Sequence, residues 1–509
     1  MNRLKSAPWQ RFMYGAILVV ALLYTIAPRW GEEADIWETA ATIEAASDSP
    51  LNPRNPLLDL PGETSPRFTP YTIVWGVIDR LFDLPLFTTV AIAGLLNILL
   101  FVTGLARVIR TLTTDSRAIL WIVPVMLIGW GRGYGEANAY QAEFFFALPG
   151  LVGTFAYGIC FHGLAELNHY LVSGSRARLT GYIALSLLAF LSHPITALFL
   201  FVAAFGWAVA RVSIGKTLLL QLVPVGVLLV SLWWPYFDYS TLLFRGSTEA
   251  WYKVRLFDGQ VMKIGPVLLG LPIAAFFAVR RKYPELVIAL GCSLAIYLLS
   301  WLAGVQIGSR FIFYGAIFAH MCIGLFLWDS GLFTRGFFQR SKTHVLIVLF
   351  LVMAVFIPGI YYRAHKIVKQ WSPVIVHYKR TSGDILEPWQ DLNILRNRLD
   401  KSSIVMVEDT VGWRVPAVTG ARLVAQAKGN PLIQEEVNQR RADATSFFND
   451  PLETADRWLL LSKYRCTHIL VDERNADWND KSLKQDLGVL ANPILLRSPY
   501  RLYSVKKSF

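Results

Sequence analysis

The sequence predicts a polytopic α-helical membrane protein of about eleven transmembrane helices, with a small C-terminal extracytoplasmic α/β domain. Three observations carry this. Of 509 residues, 54% are hydrophobic and only 17% charged, whereas soluble domains carry about 25% charged residues. Apolar runs recur as far as residue 362, separated by short basic connections. Beyond residue 364, helical and strand-like runs alternate, the pattern of an α/β domain.

A helix that crosses the hydrocarbon core needs roughly 20 apolar residues. Spans are predicted near 12–28, 86–108, 117–132, 145–169, 179–192, 194–211, 217–236, 264–280, 284–305, 309–328 and 344–362. The first has the basic start and apolar core of a signal peptide. No small-x-small pattern ends it, so it is read as a retained helix. The run "LLAFLSHPITALFLF" is read as two short spans meeting at His193-Pro194. With the N-terminus inside, the cytoplasmic loops then hold Arg107/Arg110/Arg117, Arg176/Arg178, Arg211/Lys216, Arg280/Arg281/Lys282 and Arg335/Arg340/Lys342. Every one is basic, as the positive-inside rule requires. Merging the pair at His193 inverts all later loops and destroys the pattern.

The expected organisation is a membrane domain over 1–363 and an outer domain over 364–509. The outer loop 29–85 carries two interfacial helices, "ADIWETAATIEAA", with Ile36, Ala40 and Ile43 at helical spacing, and "PYTIVWGVIDRLF". The Pro- and Asn-rich stretch between them reads as irregular. In the tail, "DLNILRNRLD" and "LETADRWLLLSKY" are helices leading into the strands "SIVMVED" and "THILVDE". "ARLVAQ" is a further strand, and "PILLRSPYRLYSVK" a hairpin.

The net charge of +13 lies mainly between apolar runs and in the C-terminal third. It points to membrane orientation first and an anionic partner second, and nothing in it indicates nucleic acid. Cys160, Cys292 and Cys322 lie in apolar runs and Cys466 stands alone in the tail, so no disulfide or zinc site is expected. "ARVSIGKT" ends like a phosphate-binding loop, but Ala210 occupies the place of its first glycine. The tail has no GxGxxG, so a dinucleotide site is unsupported.

The densest acidic patch, "RWGEEADIWETAATIEAASD" over 29–48, follows the first apolar run. Within it "DIWE" is a capping box, Asp35 as N-cap and Glu38 at the third helical position. Glu38 and Glu44 read as helix surface and Glu32 as solvated. Arg310, in "VQIGSRFIFYG", begins the tenth span at headgroup depth, where an arginine fork suits phosphate oxygens and a snorkelling arginine is the alternative. Arg245, Lys253 and Arg255, in "LLFRGSTEAWYKVR", form a second cationic group. His193 is an ionisable residue at a helix break, a functional position or a packed histidine. In "GRGYGEANAYQAEF", beside Arg132, Glu136 is a candidate second acid or metal ligand. Trp413 and its neighbours Arg414 and Arg422 suit either a glycan acceptor or strand–turn packing.

The layout as a whole resembles the GT-C glycosyltransferases. It has a short basic start, one span, an acid-bearing outer loop, many further spans and an outer C-terminal domain. "EEAD" after the first span, "SPRFTPY" ahead of the second, "SHPITALFLF" mid-bundle and "GSRFIFYGAIF" late are the matching stretches. The tail stretches "VGWRVPAVTGARLV" and "RWLLLSKYRCTHILV" look like the outer domains of bacterial members. The resemblance implies an inverting enzyme of the bacterial inner membrane. It would move a sugar from a polyprenyl-phosphate donor to a glycan, lipid or protein hydroxyl on the outer face. The catalytic base is then an acid of the first outer loop, which maps to Asp35 and, less well, to Glu33, since no DE or DD pair stands there.

Such a transfer needs a carboxylate base and cations for the departing phosphate. Arg310, Arg245, Lys253, Arg255 and His193 are the candidates for the phosphate. Glu136, Arg132 and Trp413 are candidates for the acceptor or a metal. A divalent cation, Mg or Mn, is the one cofactor in question. The alternative classes are a transporter or flippase for a lipid-linked glycan, and a non-catalytic component of an envelope polysaccharide system. Transporters favour internal repeats and mid-bilayer charges, whereas here the suspect charges gather at the outer face.

Overall fold

The computed structural model describes residues 15–17, 19, 34–60, 65–134, 140–147, 150–240, 256–332, 337–380, 390–408, 412, 414–426, 434–473, 481–497 and 500–506. Along the chain, α1 (Ala34–Asp48) and α2 (Pro70–Phe82) precede α3 (Leu86–Leu112), α4 (Ile119–Ile128) and the short α5 (Ala142–Ala147). Then come α6 (Val152–Ser173), α7 (Arg176–Ser192), α8 (Pro194–Arg211), α9 (Ile214–Leu220) and α10 (Leu222–Ser231). After α11 (Gln260–Ile264) and α12 (Gly270–Val279) follow the long α13 (Pro284–Ala303), α14 (Phe311–Asp329) and α15 (Lys342–Arg380).

Seven helical stretches among the described residues are long and apolar enough to cross a membrane. They are Leu86–Leu112, Pro194–Arg211, Ile214–Ser231, Gln260–Val279, Pro284–Ala303, Ile307–Asp329 and Lys342–His365. The chain is a multi-pass membrane protein. Of the other expected spans, 12–28 lies outside the described residues except for 15–17 and 19. The remaining three are helices, but α4 has only 10 residues, α6 carries His162, Glu166 and Asn168, and α7 opens on two arginines. At His193 the chain breaks into two helices, as the loop charges require. His193 ends α7 and caps α8, its Nδ1 accepting from the Thr196 amide at 3.2 Å.

The chain divides into two units. The first comprises 1–29, 91–233 and 248–386. Its core is aromatic, with Phe101 edge-on to Phe161 at 5.2 Å and Phe199 stacked on Phe318 at 5.3 Å. Helices α3 and α6 approach so closely that a Cβ on Gly158 would lie 2.9 Å from the backbone at Leu100. Inside α14, buried His320 donates from Nε2 to the Gly129 carbonyl at 2.9 Å, so its Nδ1 accepts from the Tyr140 hydroxyl at 2.9 Å. The basic helix ends also serve as ties. Glu166 takes Arg107 and Arg178, Arg211 pairs with Glu285, and Lys282 with Asp329 at 3.1 Å.

The second unit comprises 30–90, 234–247 and 387–509. Its tail contains α16 (Gln390–Arg396), β1 (Ile404–Val407), α17 (Val415–Thr419), β2 (Arg422–Leu423), α18 (Gln434–Asn449), α19 (Thr454–Lys463), β3 (His468–Asp472), α20 (Lys481–Leu490), β4 (Ala491–Arg497) and β5 (Tyr500–Val505). The sheet order is β2-β1-β3-β5-β4, parallel across β2, β1 and β3 and antiparallel through the β4–β5 hairpin. Helices α17, α18 and α20 go beyond the elements expected from sequence. Wholly buried Arg457 donates to the carbonyls of Phe447, Asp450 and Leu452 at 2.8–3.0 Å and pairs with Asp486. It thereby satisfies the orphan carbonyls at the end of α18 and ties that end to α20.

The segment that follows α1 adds a bridge to this sheet. Leu58 forms a parallel bridge with Leu423, with Leu423 N–H donating to Leu57 O at 2.8 Å and Asp59 N–H to Leu423 O at 3.1 Å. Asn55 Oδ1 accepts from the amides of Leu57 and Leu58, both at 3.0 Å, and so shapes the entry to the bridge.

Candidate active site

Helix α1 carries the acids, and its surroundings differ from an amphipathic surface helix. Ile36, Ala40 and Ile43 are buried as their spacing predicts, but so are Trp37, Glu38, Ala41 and Thr42. The helix packs on α2 and on α17. It lies so close to α2 that a Cβ on Gly76 would be 2.6 Å from Ala46 Cβ.

This overturns the reading of Glu38 as helix surface. Its side chain is 2% exposed, and its carboxylate meets the Arg67 guanidinium at 2.7 Å, while the Arg67 side chain is 46% exposed. Asp35 lies in the first turn of the helix, not ahead of it, and is half-buried. Asp35 therefore stands inside the helix rather than at its N-cap, and Glu38 reaches Arg67. Asp35 and Glu38, three residues apart, share a helix face.

Arg67 was not singled out from sequence, although "SPRFTPY" holds the means of fixing it. Thr69 caps α2, with Pro70 at the first helical position, where a missing N–H costs nothing. Thr72 Oγ1 accepts from the Thr69 amide at 2.9 Å and donates to the Arg67 carbonyl at 2.8 Å. The backbone of Arg67 is thus locked to the start of α2. Beyond it, Trp234 Nε1 donates to Phe68 O at 2.9 Å and the Tyr236 hydroxyl to Pro50 O at 2.8 Å. The chain from Trp234 to Ser240 leads directly into the segment of Arg245, Lys253 and Arg255, and those three lie outside the described residues. Glu33, Glu136 and Trp413 lie outside them too.

In the first unit Arg310 is 8% exposed and stands immediately before α14. The buried hydroxyls of Tyr157 and Tyr314 lie within electrostatic reach of its guanidinium. Tyr314 donates to the carbonyl of Ile195, next to Pro194. Arg310 and the break at His193 are therefore on neighbouring elements. The Nδ1 of His193 also bonds Thr196 Oγ1 at 2.8 Å, so the histidine has a capping task at the break.

Arg132 is exposed, and its backbone amide donates to Met262 O at 2.8 Å. Gly133, at φ 77°, turns the chain beside it, a conformation that glycine adopts without cost. Behind this turn lies Arg363, which sequence reasoning also passed over. It is 3% exposed, bonds Gln141 Oε1, and donates to Gly131 O at 2.8 Å. Its position near the end of an apolar run reads as a flanking cation, and nothing local reveals that it is buried. Among the described residues no group of three or more His, Cys, Asp or Glu side chains is placed to hold a metal ion.

No family model matches the sequence, and no curated protein matches it. Solved structures do. ArnT from Cupriavidus metallidurans, bound to undecaprenyl phosphate, superposes with a TM-score of 0.53 at 14% identity, over 99% of each chain. The same protein in its apo state gives 0.52 at 14% identity, over 97% of each. The oligosaccharyltransferase of Archaeoglobus fulgidus, tethered to an acceptor peptide containing the NVT sequon, gives 0.47 at 12% identity, over 92% of this chain and 70% of that one. The two ArnT structures span the present chain from end to end and establish its architecture: the chain has a GT-C fold.

Proposed function

We propose that this chain is a GT-C glycosyltransferase that moves a sugar from a polyprenyl-phosphate donor to a hydroxyl of a glycan, lipid or protein, with inversion, on the extracytoplasmic face of a bacterial inner membrane. The observation that carries the reading is the acid-bearing helix α1. It sets Asp35 on the same face as Glu38, a buried carboxylate paired with half-exposed Arg67, within a fold shared over its full length with a protein solved with undecaprenyl phosphate bound. Asp35 acts as the base that takes the acceptor proton, with Glu33 in reserve. A positioned carboxylate of this kind contributes roughly 10²–10⁴-fold to the rate.

Arg67, half-exposed and held by Glu38 on its inner side, supplies a cation for the phosphate that departs. Arg310 supplies another, and Arg245, Lys253, Arg255 and His193 are assigned to the same charge. Arg132, Glu136 and Trp413 are assigned to the acceptor or to a divalent cation, Mg or Mn. Purified protein given a polyprenyl-phosphate sugar should release polyprenyl phosphate, and Asp35→Asn should abolish that release. Full release in both Asp35→Asn and Glu33→Gln sinks the assignment of the base.

A further inference from the structure

The acid-bearing helix is built into the C-terminal domain, and three kinds of contact hold it there. The C-terminal end of α1 is held by cations. Arg80 donates to the carbonyl of Asp48 at 2.9 Å, and Lys401, from the turn before β1, pairs with Asp48 and with Glu44 at 3.2 Å. Positive charge suits that end of a helix, where the carbonyls are unsatisfied. Burial works against the Lys401 ammonium, but Asp48 and Glu44 outweigh it and raise its pKa. The flank of α1 packs on α17. The chain that leaves α1 then bridges β2 at Leu58 and Leu423, with Leu57, Leu58 and Leu60 buried. Beside the bridge, Asp59 and Arg422 form an ion pair whose side chains are only 14% and 18% exposed.

We propose that the C-terminal domain is a positioning element for the transfer step, and that Arg422 and Lys401 are its positioning residues. This rests on the glycosyltransferase reading for its chemistry. A helix fixed at its far end by a lysine, along its flank by α17 and behind by a backbone bridge to β2 presents its first turn in one place. Displacement of reacting groups by about 1 Å costs up to 10²-fold in rate. Each substrate still meets its own binding residues, so the effect falls on kcat rather than on KM.

The test uses the full chain in detergent or nanodiscs, with two readouts. Arg422→Met should lower kcat for polyprenyl-phosphate release about 10–100-fold, with KM for the donor within about threefold. It should raise amide hydrogen exchange across residues 35–48 while the core strand His468–Asp472 exchanges as in the wild type. Adding Asp59→Asn to Arg422→Met should recover part of both, because no unpaired carboxylate is then left in the seam. Lys401→Glu should give the same direction of change, reversed by the swap Glu44→Lys with Asp48→Lys, which guards against a variant that fails to fold. Wild-type kcat and wild-type exchange in Arg422→Met and Lys401→Glu overturn the proposal, as does a rise in exchange spread evenly over the whole sheet. If the wild-type chain releases no polyprenyl phosphate from any donor, the glycosyltransferase reading fails. The exchange measurements still decide whether the domain holds the helix.

Discussion

Glu38 and Arg67 form a pair with unequal ends, one carboxylate sealed from water and one guanidinium half in it. Removing either partner therefore has different consequences. Arg67→Met strands a buried carboxylate and should cost about 2 kcal/mol, below the ~3–5 kcal/mol of a fully enclosed pair. Glu38→Gln leaves an arginine that water can solvate and should cost about 1 kcal/mol. Thermal unfolding of the two variants checks the order, and a larger loss from Glu38→Gln would contradict it. Chelation tests the chemistry at the same scale. Activity that falls in EDTA and returns with Mg or Mn assigns a metal to the leaving phosphate, whereas full activity assigns the arginines alone. In the sequence the acids of this patch are visible but their environments are not. Spacing marks Ile36, Ala40 and Ile43 as one buried stripe, and a helix buried on every side looks the same as one buried on that stripe alone. The partner of Glu38 lies on another helix entry, where no local pattern links the two.

At the scale of elements, the approach of α1 and α2 depends on one missing side chain. Gly76→Val would set a branched side chain where even a Cβ lies 2.6 Å from Ala46. It should separate the helices, cost more than about 2 kcal/mol and abolish transfer. Gly226→Ala in α10, with nothing within 4 Å of its Cβ, should be tolerated and serves as the control. A Gly76→Val protein with wild-type melting temperature and activity would show that the close contact is dispensable. Most elements are legible beforehand because their periodicities are strong. The strands Ile404–Val407 and His468–Asp472 are short runs rich in β-branched residues, and the break at His193 follows from loop charge. Helix α18 escapes because its buried residues, Val437, Ala444, Phe447 and Phe448, are few within a highly charged sequence. Helix α20 was within reach, since Leu483, Leu487 and Leu490 repeat at helical spacing.

For the whole molecule, the fold answers to pH through a carboxylate of the second unit. Burial disfavours the charged form of Asp443, but hydrogen bonds from Lys463, Tyr464 and Gln439 outweigh it and depress its pKa. A depressed carboxyl contributes stability above its unfolded value, near 3.8. That stability is lost as pH falls through the folded value. Unfolding followed from pH 6 toward pH 3 should show a decline that Asp443→Asn flattens, and an unchanged profile in that variant would remove Asp443 from the account. The membrane architecture was legible at this scale because lipid imposes length and charge rules on every span. The shared sheet was not, because its pairing joins a proline-rich loop to a strand from the far end of the chain.

That pairing has a consequence for how the protein is made. Asp59 and Arg422 are separated by 363 residues, and a ribosome adding 5–20 residues per second takes roughly 20–70 s to cover that distance. Through that interval the segment around Leu58 has no β2 to pair with, while span after span enters the bilayer. Helix α1 acquires its full frame only when Lys401, α17 and Arg422 arrive, so the order of synthesis leaves its acids without that frame until the apolar spans up to His365 are already made.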